Sequence, residues 1–402
     1  MHLQVKNYKI IVSSRSLLER KVAPLVDAPV VKTRIQQGLL DFAHTGISIL
    51  EAGHRSKEFL QLMKNCETRI RRLFEVPSNY HVLLMQGGAT GQFDTVPMNL
   101  FGNRGTSKAD YLVTGCWSQK AMKEAKKYGE IREICPQVSK FTDIPSQSTW
   151  KFDPEAAYFY YCDNETINGL EFQDIPQPPV GVPIVCDMCS SLLSHPVDIA
   201  RYGLIFAGSQ KNMGCAGVTV VIVREDLVGG EMPYTPAILN YRMQVTAESV
   251  LNTPPTFRRY EPLDRCLYPG FIFMVLLYSI FAVDETLRWV EEQGGLEEMA
   301  KRTKEKSDLI YTIVDRSDGF YRCPAAQLQR SRVNIVLRLS SEALEKRWLA
   351  AAKDSGMVGL NGHRSVGGLR ISLYNAITMD DVHRLITFMT EFMEEYKHSS
   401  GC

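Results

Sequence analysis

Short apolar runs alternate with segments of helical spacing over the first two thirds of the chain. The apolar runs predict strands at residues 80–86, 109–114, 158–162, 184–186, 203–207 and 218–223. Residues 57–74, 90–100 and 118–128 carry apolar side chains at intervals of three and four, which predicts amphipathic helices. Alternating strands and helices indicate an α/β sheet that is at least partly parallel.

The pattern changes after residue 257. Residues 280–293 and 296–314 predict long helices, followed by a strand at 333–339, a helix at 343–355, a strand at 366–373 and a last amphipathic helix at 379–396. This order predicts a smaller α+β domain after the α/β domain.

Composition narrows the class of protein. The 402 residues are 45% hydrophobic and 23% charged, as in ordinary globular domains. A formal charge of +1 does not favour a nucleic-acid partner. The longest charge-free apolar run, residues 271–283, is too short for a bilayer span. We expect a cytoplasmic protein without a secretory signal, although basic residues 1–21 also allow a transit peptide.

The ten cysteines include one close pair, Cys186 and Cys189. A zinc site needs a second ligand pair nearby, and a redox pair needs a helix start. Since Cys186 follows an apolar run and no second pair is near, we predict buried free thiols in a reducing compartment.

Lys211 is the most unusual position in the pattern. It is the only charged residue between Arg201 and Arg224, and it lies in a loop of small residues between two apolar strands. One interpretation is a lysine in a surface hairpin turn. The other is a lysine in an apolar pocket, where a depressed pKa makes its amine a nucleophile toward a carbonyl cofactor.

Glycine, aromatic and polar residues follow the predicted strands. In an α/β sheet such positions meet at the carboxyl edge, where ligands bind. They are Gly87-Gly88, Gly115-Cys116-Trp117, Asn164-Glu165-Thr166, Asp187 and Lys211.

Each of these positions has a functional and an ordinary interpretation. The Gly87-Gly88-Ala89-Thr90 turn could bind a phosphate at a helix start or simply join a strand to a helix. Trp117 could stack on a flat ring or belong to the core. Asp187 could pair with a cation or cap a helix.

Pyridoxal 5′-phosphate explains the whole set. This cofactor needs a lysine for its aldehyde, an acid for its ring nitrogen, an aromatic face and a phosphate cup. Asp187 stands 24 positions before Lys211, which predicts that both lie at the ends of adjacent strands.

A repeated tripeptide suggests an anionic substrate. His54-Arg55-Ser56 recurs as His363-Arg364-Ser365, and Arg370 follows closely. Arginine binds carboxylate or phosphate with two hydrogen bonds, so the set predicts a substrate with several negative charges. Either copy alone could be a chance tripeptide in a surface loop.

Eight motifs in order resemble the phosphoserine aminotransferases, a fold-type I pyridoxal-phosphate family. They are GHRSKEF, QGGATGQFDTVPMNL, VTGCWSQKAMKEAKKYG, YYCDNETINGLEF, VCDMCSSLLSHPVD, AGSQKNMGCAGVTVVIVREDL, LNTPPTF and GHRSVGGLRISLYNA. The resemblance runs from about residue 36 to residue 396. It implies a large domain with a mostly parallel sheet and a smaller α+β C-terminal domain.

The resemblance implies a role for each cofactor residue. Lys211 would form the internal aldimine with Gln210 beside it, and Asp187 would pair with the ring nitrogen. Trp117 would stack on the ring, and Thr166 would bind its phenolic oxygen. The phosphate would be held by Ala89 and Thr90 and, from the neighbouring subunit of a homodimer, by Asn252 and Thr253.

The implied reaction converts O-phospho-L-serine and 2-oxoglutarate into 3-phosphooxypyruvate and L-glutamate, in serine biosynthesis. The substrate carboxylates and phosphate would be held by His54, Arg55, His363, Arg364 and Arg370. Two alternatives are another fold-type I aminotransferase, such as a serine–pyruvate type, and a catalytically impaired homologue.

Two departures from the family set the predicted boundaries. Residues 1–33 lack the family's Gly-Pro-Ala loop, and about twenty residues intervene before the pattern resumes at Ile280. We therefore expect an atypical segment at 1–33, a large domain at 34–257, an insertion at 258–279, and a small domain with its linking helix at 280–402.

Overall fold

The computed structural model describes residues 28–136, 138, 140–253 and 276–397. The helices are α1 (Pro29–Leu40), α2 (Lys57–Leu73), α3 (Gly88–Leu100), α4 (Cys116–Ala125), α5 (Tyr241–Thr246), α6 (Leu276–Glu292), α7 (Gly295–Asp315), α8 (Glu342–Asp354) and α9 (Met379–Lys397). The strands are β1 (Tyr80–Met85), β2 (Lys108–Tyr111), β3 (Glu130–Glu133), β4 (Phe159–Cys162), β5 (Asn164–Glu165), β6 (Leu170–Glu171), β7 (Ile184–Asp187), β8 (Leu204–Gly208), β9 (Thr219–Arg224), β10 (Asn334–Leu337) and β11 (Leu369–Ser372).

A seven-stranded sheet in the order β1-β9-β8-β7-β4-β2-β3 forms the centre of the described chain. The neighbours from β8 to β3 pair in parallel, whereas β9 is antiparallel to both β8 and β1. Six strands therefore share one direction, which confirms the predicted mostly parallel α/β sheet. Their carboxyl ends lie along one edge, as expected for such sheets.

Alternating strand residues fill a core on each face of this sheet. In β8, Leu204 and Phe206 join the cluster under α3 and α4, while Ile205 and Ala207 join the cluster under α1, α2 and α6. Strands that are buried on both faces have continuous apolar sequences, and for that reason the hydrophobic pattern predicted them. Both faces are closed to water, so the carboxyl edge is where polar side chains gather.

A second layer, within the predicted small domain, packs α7, α8 and α9 around the antiparallel pair of strands β10 and β11. Lys306 of α7 is buried beside the loop that follows β11. Its Nζ donates to the carbonyl oxygens of Leu373 and Tyr374 at 3.1 Å and of Ile377 at 3.2 Å. Burial lowers the pKa of Lys306 to about 8.

The loop after β11 joins this layer to the sheet. Asn375 donates from its side chain to the carbonyl oxygen of Leu193 at 2.8 Å, and its backbone N–H donates to Asn212 Oδ1 at 3.1 Å. Asn212 is the residue after Lys211. The loop that Lys306 holds therefore lies next to the candidate catalytic lysine.

Several predicted elements differ from those observed. The sequence prediction missed α1, α5 and the edge strand β3, and helix α6 begins at Leu276 rather than at Ile280. Most of the predicted insertion and residues 1–27 lie outside the described residues. Within the described ranges, no helix is long and apolar enough to cross a membrane.

We predict that Lys306→Met lowers the free energy of unfolding by about 2–4 kcal/mol, because three buried carbonyl oxygens lose their donor. Removing a buried charge offsets part of this loss, but three unsatisfied acceptors outweigh it. Urea unfolding measures the difference. The matched control is Lys301→Met on the exposed face of α7, with an expected change below about 0.5 kcal/mol. Equal stability of Lys306→Met and the unmodified chain would contradict this role.

Candidate active site

A cavity of about 480 Å³ opens at the carboxyl edge of the sheet. The ends of β1, β4, β7 and β8 and the start of α4 supply its walls. Six of the predicted site residues line it: Ala89, Thr90, Trp117, Asp187, Gln210 and Lys211. The strand-end positions identified in the sequence therefore meet in one place.

Lys211 lies in the connection between β8 and β9, which are antiparallel neighbours. The connection has the topology of a hairpin turn, but the lysine is half-buried and faces the cavity. Its Nζ lies 5.8 Å from the centroid of the Trp117 ring. The pocket interpretation thus fits this lysine better than the surface-turn interpretation.

The pKa of Lys211 differs from the expected one. Burial is the largest influence on the pKa of Lys211 and lowers it, but the net pKa is raised. The expected depressed pKa is therefore wrong, because the pocket is not simply apolar. Interactions of the amine with Tyr374, Cys189, Asp187 and Cys162 raise the pKa of Lys211 and outweigh the effect of burial.

Asp187 is the last residue of β7 and is buried in the cavity wall. It pairs with Phe206 of the parallel strand β8, so it lies beside the strand that leads to Lys211. Its Oδ1 accepts from the backbone N–H of Cys189 at 2.9 Å. Burial raises the pKa of Asp187, while the Cys189 hydrogen bond and the Lys211 charge oppose that rise. A further cation would favour the ionised carboxylate.

The turn between β1 and α3 matches the predicted phosphate cup. Gly87 and Gly88 have φ of +99° and +63°, in the left-handed region that side chains disfavour. This backbone starts α3 directly behind the cavity, with Ala89 and Thr90 in its first turn. Free N–H groups and the helix dipole at such a start favour a phosphate.

Glu165 holds the aromatic wall in place. It is buried, and it accepts from the backbone N–H groups of Trp117 at 2.9 Å and Ser118 at 2.8 Å, and from Ser118 Oγ at 2.7 Å. Trp117 Nε1 donates to Thr166 Oγ1 at 3.0 Å. Thr166 does not line the cavity, but its hydroxyl proton remains to donate.

The second His-Arg-Ser segment lies beside the start of α4. His363 Nδ1 contacts Ser365 Oγ at 2.7 Å. The pKa of His363 is lowered first by burial and then by the charges of Arg370, Lys120 and Arg364. His363, Arg364 and Arg370 do not line the cavity itself, but they form a basic cluster with Lys120, whose Nζ lies over the Trp117 ring.

The first His-Arg-Ser segment does not line the cavity of its own chain. Arg55 is exposed and lines a separate groove of about 710 Å³ between α2, β1 and α5. Ser56 caps α2 by accepting from the N–H of Phe59 at 3.2 Å. The Nε2 atom of half-buried His54 has no hydrogen-bond partner among the described residues.

The two residues assigned to a neighbouring subunit are also outside the cavity. Asn252 Oδ1 accepts from Gln86 Nε2 at 3.3 Å, next to the Gly87 turn of its own chain. Thr253 is exposed. Their roles across a dimer stay predictions.

Sequence reasoning placed Asn164 at the carboxyl edge of the sheet but missed that Ser190 belongs to the cavity. Asn164 and Ser190 line it, and Asn164 Nδ2 donates to Ser190 Oγ at 3.0 Å and to Asn334 Oδ1 at 2.9 Å. The polar run after β4 signalled Asn164 and Glu165, but not which group each would bind. No sequence signal pointed to Tyr374. Cys186 and Cys189 are buried free thiols, as predicted.

The donor set fits pyridoxal phosphate. One cavity is lined by a lysine amine, an indole, a glycine turn at a helix start and a buried carboxylate. The raised pKa of that carboxylate, Asp187, shows that nearby cations do not fully compensate its burial. Among the described residues, no cluster of histidine, cysteine or carboxylate side chains could hold a metal ion.

Comparisons with known proteins identify the family of the chain. The family model for class V aminotransferases matches residues 23–260 and 276–385. A phosphoserine aminotransferase from Drosophila melanogaster is 44% identical over 372 residues, which are 92% of this chain and 96% of the relative.

Solved structures give the same result. Phosphoserine aminotransferase from Bacillus circulans subsp. alkalophilus superposes with a TM-score of 0.84 at 38% identity, covering 94% of this chain and 98% of that one. The pyridoxal-phosphate-bound phosphoserine aminotransferase from Trichomonas vaginalis gives 0.82 at 32% identity, covering 92% and 98%. The chain therefore belongs to the phosphoserine aminotransferase family of class V aminotransferases.

Proposed function

We propose that the chain transfers the amino group of O-phospho-L-serine to 2-oxoglutarate, using pyridoxal phosphate held by Lys211. The observation that carries this proposal is the single cavity in which Lys211, Asp187 and the Gly87 turn meet. When bound, the cofactor withdraws electrons from the substrate Cα and makes its proton acidic. Family membership and the basic cluster beside Trp117 support a phosphorylated amino acid as the substrate.

Each residue of the cavity has a distinct task in this proposal. Asp187 would bind the ring nitrogen and keep it protonated, because a buried carboxylate favours a cationic partner. Trp117 would stack on the ring, in the orientation that Glu165 fixes. Lys211 Nζ would take the proton from the substrate Cα as general base and return it as general acid.

We further propose a cytoplasmic homodimer with composite sites. Arg55 lines a groove away from the cavity of its own chain, so it could bind a substrate anion only in another copy's cavity. His54 and Arg55 would then complete the site of the partner, together with Asn252 and Thr253. In a two-fold dimer the same contribution is made in both directions.

Lys211→Ala should abolish the near-visible absorbance of the protein–cofactor linkage and lower glutamate formation at least about a thousandfold. The fold should persist, since no hydrogen bond from the Lys211 side chain occurs within the described ranges. Absorbance, melting temperature and glutamate release are the measurements, with the exposed Lys126→Ala as matched control. An unchanged absorbance in Lys211→Ala would contradict the assignment. Absorbance without turnover in the unmodified chain would instead favour an impaired homologue.

Two inactive variants should restore activity when they share a dimer. In a mixed dimer of Arg55→Ala and Lys211→Ala, one of the two sites contains both an intact Lys211 and the partner's intact Arg55. Random re-assortment of equal amounts should recover about a quarter of the unmodified activity, because half the dimers are mixed and each has one working site. If Arg55 acted within its own chain, mixing would restore nothing. Each variant re-assorted with itself is the control.

A further inference from the structure

Lys120 is a cation that neither the strand-end pattern nor the repeated tripeptide identified. It lies one helical turn after Trp117 on α4, so both side chains project from the same face. Its Nζ is 4.3 Å from the centroid of the Trp117 ring, a distance typical of a cation–π contact. This contact directs the exposed ammonium toward the ring that lines the cavity.

Lys120 lies close to the basic segment of the small domain. The loop that carries this segment packs against the start of α4, since Cys116 lines one groove with Val366 and Gly367. The charge of Lys120 acts on His363 together with the charges of Arg364 and Arg370. Three cations therefore lie near enough to His363 to lower its pKa.

These cations lack carboxylate partners among the described residues. In the part of the chain that the structure describes, Lys120, Arg364 and Arg370 form no ion pair. The buried Nε of Arg370 also has no hydrogen-bond acceptor there. Like charges repel, so such a grouping is unfavourable unless an anion binds among them.

We propose that Lys120 is a specificity-determining residue that binds the phosphate of the substrate beside the cluster of Arg364 and Arg370; this inference rests on the proposed function. A phosphate monoester carries close to two negative charges at neutral pH, whereas a side-chain carboxylate carries one. A third cation therefore favours a phosphorylated amino acid over glutamate in the same cavity. The ring contact holds the ammonium next to the aromatic wall of the cavity.

Lys120→Met tests the proposal, because methionine keeps an unbranched apolar stem against Trp117 but removes the charge. We expect the KM for phosphoserine to rise about three- to tenfold, with kcat and the KM for 2-oxoglutarate nearly unchanged. Calorimetric titration of the loaded enzyme with 3-phosphoglycerate, which has no amine and is not turned over, should show the same loss of affinity. Lys120→Arg should restore most of it.

Lys123→Met is the matched control, since Lys123 is exposed on α4 outside the basic cluster. Three outcomes would overturn the proposal: equal rises in KM for both substrates, equal effects of Lys120→Met and Lys123→Met, or weaker cofactor binding that accounts for the loss. A failure of the proposed function is distinguishable, because the unmodified enzyme would then form no glutamate from phosphoserine.

Discussion

The buried carboxylate of Asp187 beside Lys211 is the constraint on which the site depends. Parallel pairing of β7 with β8 places an acid and a lysine at the same edge of the sheet. A buried carboxyl without a full complement of positive charge has a raised pKa, so it favours a cationic ring nitrogen. The same acid contributes to the raised pKa of Lys211. Sheet topology thus determines the electrostatics of the cavity.

Acidic and basic side chains lie at different places around the cavity. Acidic groups lie at the strand ends: Asp187 is buried in the cavity wall, and Glu165 is buried behind Trp117. Cations lie beside the Trp117 wall of the cavity, where Lys120 and the 363–370 segment are close to each other. An elongated ligand with a cationic ring at one end and a phosphorylated amino acid at the other matches this polarity. The loop that Lys306 holds joins the layer of α7, α8 and α9 to the connection between β8 and β9, which carries Lys211.

Much of this could be predicted from the sequence, because buried parallel strands are apolar throughout and end in chemically distinctive residues. The fold, the cavity and the pairing of Asp187 with Lys211 follow from that pattern. The edge strand β3 was missed since its sequence, Glu130–Glu133, is mostly charged. Contacts between distant segments left no local signal. Glu165 holding Trp117, Tyr374 acting on Lys211 and Lys306 holding its loop all required coordinates.

The most direct test of this account compares phosphoserine with unphosphorylated serine as amino donors to the unmodified enzyme. Glutamate formed from 2-oxoglutarate is measured for each donor under the same conditions. If Lys120, Arg364 and Arg370 face the bound substrate as proposed, kcat/KM for phosphoserine is roughly a thousandfold higher or more, because serine leaves those charges unpaired. Equal use of serine or alanine would contradict the account and would favour a serine–pyruvate type of aminotransferase.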